Sequence, residues 1–273
     1  MRDFLRNPAG LIGSLLLLLV LGAALFGPVL APYDPQQFHT GARLQGPGPE
    51  FWLGTDQYGR DLLSRLLNGA PSTVFFGLGA TALGVGAGSI IGVVAGVAGG
   101  RVDSVIMRVL DGLLAMPELL FTLLIVTFLG GGTSQAMLAV AVTFTPGMAR
   151  ISRSAVLSVR TRDYVTAAVA RGEGRGWIVF QEVLPNALGP IIVEATIRVS
   201  FAIMIGATLG FLGLGAQPPS TEWGLMVAEA RQFMFRNPWC VAVPGMAIAI
   251  TAMGFNLFGD ALRDAFDPKR SRS

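Results

Sequence analysis

Long apolar stretches alternate with short polar segments along the chain. Five of them contain no charged residue, at 9–33, 66–100, 119–149, 199–221 and 237–259. A helix needs about 20 apolar residues to cross the hydrocarbon core of a membrane. The third stretch is too long for one helix, and its GGGTSQ sequence is typical of a turn. The pattern therefore predicts six membrane-spanning helices, at roughly 10–31, 72–99, 108–129, 135–156, 196–215 and 240–261.

Composition supports an all-α integral membrane protein. The chain is 52% hydrophobic and 14% charged, with a mean hydropathy of +0.60, whereas soluble domains carry roughly 25% charged residues. Residues 9–33 form an uncharged run much longer than the roughly 7–15 apolar residues of a signal peptide. We therefore expect the N-terminal stretch to be a retained membrane helix.

The distribution of basic residues predicts the orientation. Six spans place both termini on one side of the membrane. With the termini inside, the inner segments carry fourteen basic residues, among them Arg2, Arg6 and Lys269, and the outer segments carry five. Because inner loops are enriched in Lys and Arg, both termini are predicted to be cytoplasmic. The polar segment 157–187 then also lies in the cytoplasm.

The sequence offers little for catalysis. It contains one cysteine, Cys240, and one histidine, His39, which lies in a proline-rich loop. A disulfide within the chain and a Cys/His metal site are therefore excluded, and there is no G-x-x-x-x-G-K-[ST] phosphate loop. We predict no catalytic site, no metal site and no cofactor bound by this chain. The net charge of +3 is a topology signal, and no nucleic-acid partner is expected.

The most polar segment of the middle of the chain is DYVTAAVARGEGRGWIVFQEVLPNA. Its sequence predicts a short helix from Asp163, which is an acceptable N-cap, followed by a glycine-rich bend at 172–176. A second short helix should follow and end at Pro185. On the residues alone, an interfacial amphipathic helix without a partner is an equally good interpretation.

Glu118 is the most unusual charge within a predicted span. It lies 12 residues before the turn at Gly130, or about 18 Å along a helix, and a carboxylate at that depth avoids lipid. Two interpretations stay open: an ion pair with Arg150 or Arg153, or a position on a translocation path where it would meet a cation or a peptide amine. Glu194 and Arg198 are spaced i, i+4 and should pair with each other.

The polar segment resembles the EAA motif, which forms the coupling helix of ABC importer permeases. Ala167, Ala168, Gly172, Leu184 and Pro185 stand at matching positions, whereas Thr166 and Glu182 depart from the motif. The resemblance implies that the segment 163–185 docks on an ATPase. The residues expected to take part in this ATPase coupling are Asp163, Tyr164, Ala167, Ala168, Arg171, Gly172, Leu184 and Pro185. It also implies that Gly172→Asp or Ala168→Asp leaves membrane insertion intact and abolishes transport.

Further motifs are similar to one branch of this family, the C-type permease of dipeptide, oligopeptide and nickel importers. They occur in order along almost the whole chain: LGTDQYGRDLLSRLLNGA (53–70), GGRVDSVIMRVLD (99–111), LPNALGPIIVEAT (184–196), FLGLGAQPPSTEWG (211–224) and FNLFGDALRDAFDP (255–268). Gly206 and Gly210 stand where the family often has larger or polar residues. They are candidates, with Glu118, for the translocation path.

The resemblance implies a type I ABC importer permease fold and a non-catalytic subunit. It divides the chain into an N-terminal helix and extracytoplasmic segment (1–71), a permease core (72–262) and a cytoplasmic tail (263–273). The expected partners are a B-type permease in a heterodimer, two ABC ATPases that bind ATP and Mg²⁺, and an extracytoplasmic solute-binding protein. The expected location is the bacterial or archaeal cytoplasmic membrane. Peptides are the first substrate class, with nickel or another small solute as the alternative.

The outer segments carry two further expectations. Residues 52–69 are predicted to form an amphipathic surface helix, with Leu62, Leu63, Leu66 and Leu67 on one side, beneath the binding protein or the sister subunit. The loop 216–239 should lie flat or re-enter, because Trp223 and Trp239 suit a membrane interface.

A stand-alone secondary transporter or channel is the alternative from another functional class. It would require ionisable residues spread through several spans. Only Glu118 and the Glu194/Arg198 pair meet this requirement, so the importer is favoured.

Overall fold

The computed structural model describes residues 7–266, and over that range the chain is helical without a β-strand. The described part contains nine α-helices, which are α1 Pro8–Leu30, α2 Leu62–Ala98, α3 Gly100–Leu114, α4 Glu118–Leu129, α5 Thr133–Arg160, α6 Asp163–Ala170, α7 Arg175–Phe211, α8 Trp223–Ala230 and α9 Trp239–Phe266. The terminal basic residues Arg2, Arg6, Lys269, Arg270 and Arg272, and residues 267–273 of the predicted tail, lie outside the described residues.

Four helices are long and apolar enough to cross a membrane, namely α1, α2, α7 and α9. The pair α3 and α4 adds a fifth candidate if the two count as one bent span. Helix α5 is 28 residues long, or about 42 Å, but it is more polar than the others because it carries Arg150, Arg153 and Arg160. Much of its length is buried against neighbouring helices, for example at Ala139, Phe144 and Met148, so it needs less hydrophobicity than a helix surrounded by lipid.

The third predicted span differs from the structure. The sequence pattern predicted one helix at 108–129, whereas the chain breaks between α3 and α4 and turns by 90°. Pro117 explains the break, because proline has no N–H to donate and disfavours helical backbone at the residue before it. One side of α3 presents Val102, Val105 and Val109, which are exposed.

Helix α2 begins about ten residues earlier than predicted. The segment 31–61 contains no helix, and the expected separate amphipathic helix around Leu62–Leu67 is instead the first part of α2. Asp61 caps α2, because its Oδ2 accepts hydrogen bonds from the backbone N–H and the hydroxyl of Ser64, at 2.7 and 2.6 Å. Leu62 is buried with Trp223 and Cys240.

The centre of the fold is the contact between α2 and α5. Gly84, Gly88 and Gly92 recur at every fourth position of α2 and face α5. A Cβ added at Gly92 would lie 2.2 Å from the carbonyl oxygen of Ala149, so the two backbones approach as closely as helices with small residues allow. Around this contact, the buried core joins α2, α4, α5 and α7 through Phe76, Ala80, Val126, Val140, Phe144, Ala202 and Leu209.

The helices place their connections at two opposite ends of the bundle. At one end, Gly132 N–H donates to the Leu214 carbonyl at 3.1 Å, Gln36 Nε2 donates to the Pro219 carbonyl at 2.6 Å, and Arg60 pairs with Glu229. We call this the loop-rich end; it comprises segments 31–61, 130–132 and 212–238. Helix α6 lies at the other end of α5 and α7, here called the α6 end.

The close contact between α2 and α5 gives a first prediction. Gly92→Ala should lower the stability of the protein by about 1–3 kcal/mol, because the added methyl group meets a backbone carbonyl that has no room to move. Gly86 lies on the same helix with open space around it, so Gly86→Ala is the matched control and should leave stability unchanged or slightly raised. Thermal unfolding of both variants in detergent measures the difference. Equal melting temperatures would contradict the close contact.

Candidate functional site

The candidate coupling segment consists of α6, a glycine bend and the first turns of α7. Asp163, predicted as the N-cap, is the first residue of the helix, and Arg162 occupies the cap position without a side-chain hydrogen bond. Gly172 has a φ of +82°, a backbone conformation that side-chain-bearing residues rarely adopt. A Cβ at Gly172 would meet nothing within 4 Å. The glycine is therefore required by the turn and not by a packing contact.

One side of α6 is anchored in the protein. Val165 and Ala168 are buried in a cluster with Ile178 and Val183 of α7 and with residues at the end of α5, which are Ala155, Val156 and Val159. The fully buried Ala168 leaves no room for a larger group. Because the cluster joins three helices, a force on α6 reaches both α5 and α7.

The other side of the segment is exposed and partly apolar. Tyr164, Ala167 and Val169 of α6 are exposed, as are Trp177 and Phe180 at the beginning of α7. Exposed aromatic and aliphatic side chains of this kind mark interaction surfaces. Beside them, Arg171 and Glu173 form an ion pair at 2.7 Å. An anchored helix with an exposed apolar face is suited to docking on another protein.

The predicted end of the second short helix at Pro185 is wrong. Helix α7 continues through Leu184 and Pro185 to Phe211, with a π-helical stretch at Ile178–Val183. Pro185 has no N–H to donate to the carbonyl one turn earlier. The wider π turn before it accommodates this defect, because the Leu184 N–H donates to the Val179 carbonyl, five residues back. Asn186 Nδ2 also donates to the Glu182 carbonyl at 2.7 Å. The last part of the candidate coupling segment is therefore continuous with the rest of α7.

Burial changes the mutational expectation for Ala168. The sequence predicted that Ala168→Asp leaves the inserted protein intact, but in the structure this change would place a carboxylate inside an apolar cluster. We therefore expect Ala168→Asp to disturb the fold. The neighbouring Ala167 is exposed and is the suitable position for a change that affects docking alone.

Glu118 pairs with Arg198, so the predicted pairing with Arg150 or Arg153 is wrong. Arg198 Nη1 lies 3.0 Å from Glu118 Oε1, whereas Arg150 pairs with Asp111 and Arg153 pairs with Asp103. The bend before α4 explains the difference, because it turns Glu118 away from the α3 side toward α7. The predicted pair of Arg198 with Glu194 is confirmed at 3.1 Å.

Arg198 thus binds two carboxylates, which leaves the three-residue cluster with a surplus of negative charge. The guanidinium of Arg198 lies 5.0 Å from the centre of the Phe144 ring. Gly147 makes room for it, because a Cβ at that position would lie 3.1 Å from Arg198 Nη2. The Glu118 side chain is 42% exposed. Its role on a translocation path stays a prediction.

Gly206 and Gly210 lie inside the packed chain. A Cβ at Gly206 would be 2.3 Å from the Phe76 ring, and one at Gly210 would be 2.7 Å from Glu222 Oε2. Burial raises the pKa of the Glu222 carboxyl, an effect partly opposed by hydrogen bonds from two backbone N–H groups at the start of α8. The absent side chains therefore make room for neighbours, and a place for these glycines on the path stays a prediction.

An ion network that the sequence did not predict lies at the loop-rich end. Asp56 Oδ2 lies 2.6 Å from Arg60 Nε and 3.6 Å from Arg65 Nη1, and Glu229 Oε2 lies 3.0 Å from Arg60 and 2.8 Å from Arg65. Three of the four residues lie in the 53–70 motif, but Glu229 is more than 160 positions away. No periodic signal connects it to the others. The network fixes the segment 31–61 to α2 and α8.

Within residues 7–266, no group of three or more His, Cys, Asp or Glu side chains is arranged to hold a metal ion.

Comparisons with known proteins identify the family. Residues 88–272 match the profile of the binding-protein-dependent transport system inner membrane component, and residues 1–47 match the N-terminal TM domain of oligopeptide transport permease C. The di/tripeptide transport system permease protein DppC of Pseudomonas aeruginosa is 43% identical, with 98% of this chain and 90% of the relative covered. The glutathione transport system permease protein GsiD of Pectobacterium atrosepticum is 38% identical, with 98% and 89% covered.

A solved structure shares the fold at low sequence identity. The MetNI methionine ABC transporter in an inward-facing conformation matches with a TM-score of 0.61 and 20% identity, over 73% of this chain and 95% of that one. The family profile covers more than half of the chain, and the shared fold agrees with it. The chain belongs to the family of inner membrane components of binding-protein-dependent transport systems.

Proposed function

We propose that this chain is the permease subunit of an ABC importer for di- and oligopeptides and forms half of its translocation path. Support for the substrate class comes from the relatives, which are named as di/tripeptide, D,D-dipeptide, dipeptide and glutathione permeases and match over almost the whole chain. The coupling role is supported by one observation: α6 is anchored through the buried Val165 and Ala168, while its opposite face is exposed.

The proposed topology has six spans with both termini in the cytoplasm of a bacterial cell. Four spans are the apolar helices, the fifth is the bent α3–α4 pair, and the sixth is α5. The basic residues at the α6 end, among them Arg160, Arg162, Arg171 and Arg175, support a cytoplasmic position for that end. The loop-rich end then faces the extracytoplasmic side.

The proposed complex contains a B-type permease, two ABC ATPases and an extracytoplasmic binding protein. This chain contributes no phosphate-binding loop, so ATP and Mg²⁺ belong to the ATPases and hydrolysis is theirs. The exposed face of α6 docks on one ATPase. When the ATPases approach each other, α6 moves with its partner, and the cluster around Ala168 passes the displacement to α5 and α7.

The continuity of α7 gives this movement a route into the membrane. The helix runs from the α6 end through Arg198 to Phe211, so a shift at its beginning displaces the Arg198 cluster about 35 Å away. Arg198 holds Glu118 of α4. The same shift therefore changes the contact between α7 and α4. This contact is the Arg198–Glu118 ion pair, and charged groups inside a membrane face the protein interior or a water-filled path and not lipid.

Adjacent alanines separate docking from folding. Ala167→Asp should leave insertion and melting temperature unchanged while reducing ATPase co-purification and peptide uptake at least tenfold, because a carboxylate is desolvated in the apolar interface. Ala168→Asp should instead lower the melting temperature, because the same group enters the protein core. Uptake, pull-down and thermal unfolding of both variants make the comparison. Normal uptake by the Ala167→Asp protein would contradict the coupling role.

Neutralising Glu118 tests the translocation path. Glu118→Gln should raise the KM for peptide uptake several-fold, because the exposed carboxylate no longer attracts the peptide ammonium group. Asp111→Asn, which removes an exposed carboxylate of another ion pair, is the control and should leave KM unchanged. Initial uptake rates over a range of peptide concentrations measure both. If the two variants have the KM of the original protein, Glu118 does not line the path.

The composition of the native complex tests the function as a whole. The chain is tagged and purified from its own membrane in mild detergent, and the co-purifying proteins are identified. We expect a second permease and ATPase subunits. A chain that purifies alone and transports in liposomes without ATP would be a secondary transporter or channel, and the importer proposal would fail.

A further inference from the structure

A wide groove at the loop-rich end is lined by three arginines. It has a volume of about 740 Å³ and lies between the segment 31–61 and a second wall made of the end of α8 and the residues that follow it. Arg43 lines one side, and Arg231 and Arg236 line the other. The lining also includes two aromatic residues, Tyr58 and Phe233, and the carboxylate of Glu229. We call this feature the arginine groove.

The arginine groove carries positive charge without a matching carboxylate. Among the ion pairs of residues 7–266, none includes Arg43, Arg231 or Arg236, although all three are exposed. Glu229 does not neutralise them, because its carboxylate is already held by Arg60 and Arg65 at 3.0 and 2.8 Å. The groove is therefore complementary to an anionic partner.

The walls of the groove are fixed to each other. Asn237 Nδ2 donates to the carbonyls of Gln45 and Thr55 at 2.9 and 3.2 Å, which ties the chain after α8 to the opposite wall. The buried ion network under the groove adds a second connection between the two segments. A surface that is already ordered loses little conformational entropy on binding, which favours affinity.

Exposed aromatic residues accompany the arginines. Phe235, between two wall residues, is 93% exposed, and Met234 beside it is also exposed. On the other wall, exposed Tyr58 contacts exposed Phe38, with ring centres 6.0 Å apart. Aromatic residues, methionine and arginine are the residues enriched in protein–protein interfaces. Small solutes bind in sites that enclose most of their surface, whereas this groove is wide and open. The combination therefore indicates a protein partner.

We propose that the arginine groove is the docking site for an acidic surface of the extracytoplasmic binding protein, whose carboxylates pair with Arg43, Arg231 and Arg236. The inference rests on the proposed importer function and on the loop-rich end being extracytoplasmic. The ATPases are not candidates for this surface, because their proposed docking face on α6 lies at the opposite end of the bundle. Aromatic residues at the rim then exclude water around the charge pairs.

The test uses the complete transporter in nanodiscs and its own purified, peptide-loaded binding protein. The variant R43Q/R236Q removes two exposed arginines that form no side-chain ion pair, hydrogen bond or ring contact among residues 7–266, so the fold should be unaffected. ATPase activity is measured against the concentration of binding protein. We expect the half-saturating concentration to rise about three- to tenfold, with basal activity and activity at saturation unchanged.

Three comparisons sharpen the result. R101Q/R108Q removes two exposed arginines from α3, away from the groove, and should leave the half-saturating concentration unchanged. R43K/R236K keeps the charges and should retain most of the original affinity. The dependence of the half-saturating concentration on salt should be weaker for R43Q/R236Q than for the original protein, because fewer charge pairs remain to be screened.

Each other outcome overturns the inference. If R43Q/R236Q has the original half-saturating concentration, the groove does not dock the binding protein, while the importer function stands. If only the KM for peptide rises, the groove binds the substrate carboxylate. If the effect of the variant appears only in nanodiscs with phosphatidylglycerol, the groove binds an anionic lipid. If the unaltered transporter shows no response to its binding protein, the proposed function itself fails.

Discussion

The close approach of α2 and α5 is the constraint on which the rest of the structure depends. Three glycines, Gly84, Gly88 and Gly92, remove the side chains that would separate these helices, and the resulting contact buries α5 in the centre of the bundle. Inside a membrane, two helices gain little from hydrophobicity alone, so tight packing has to supply the attraction. Two arginines of α5 are compensated by aspartates of α3, in the pairs Arg150–Asp111 and Arg153–Asp103.

The position of α5 determines what the candidate coupling segment can do. The end of α5 and the beginning of α7 supply most of the cluster that buries Ala168, and Val93 and Val97 of α2 pack against it. Helix α6 is therefore seated on the two helices that it connects, and only its other face is available to a partner. The π turn ahead of Pro185 keeps α7 continuous, so the exposed Trp177 and Phe180 and the Arg198 cluster lie on one helix.

The loop-rich end is organised by charge, in contrast to the apolar packing of the helices. Asp56, Arg60, Arg65 and Glu229 form a nearly closed set of ion pairs between the segment 31–61, α2 and α8. Because these pairs are buried and mutually compensated, the removal of one partner leaves an uncompensated charge. The same network uses the carboxylate of Glu229 and leaves the arginines of the groove above it free for a partner.

The sequence by itself determined the all-helical membrane class, the approximate positions of the helices, the short helix and glycine bend at 163–176, and the Glu194–Arg198 pair. These features follow from hydropathy, turn residues and spacing within one helix, which are local. Tertiary structure alone decided the break before Glu118, the continuation of α7 through Pro185, the inward direction of Ala168 and the partnership of Glu229 with the 53–70 motif. Each depends on which surface another helix covers, and a pattern of neighbouring residues holds no information about contacts between residues far apart in the chain.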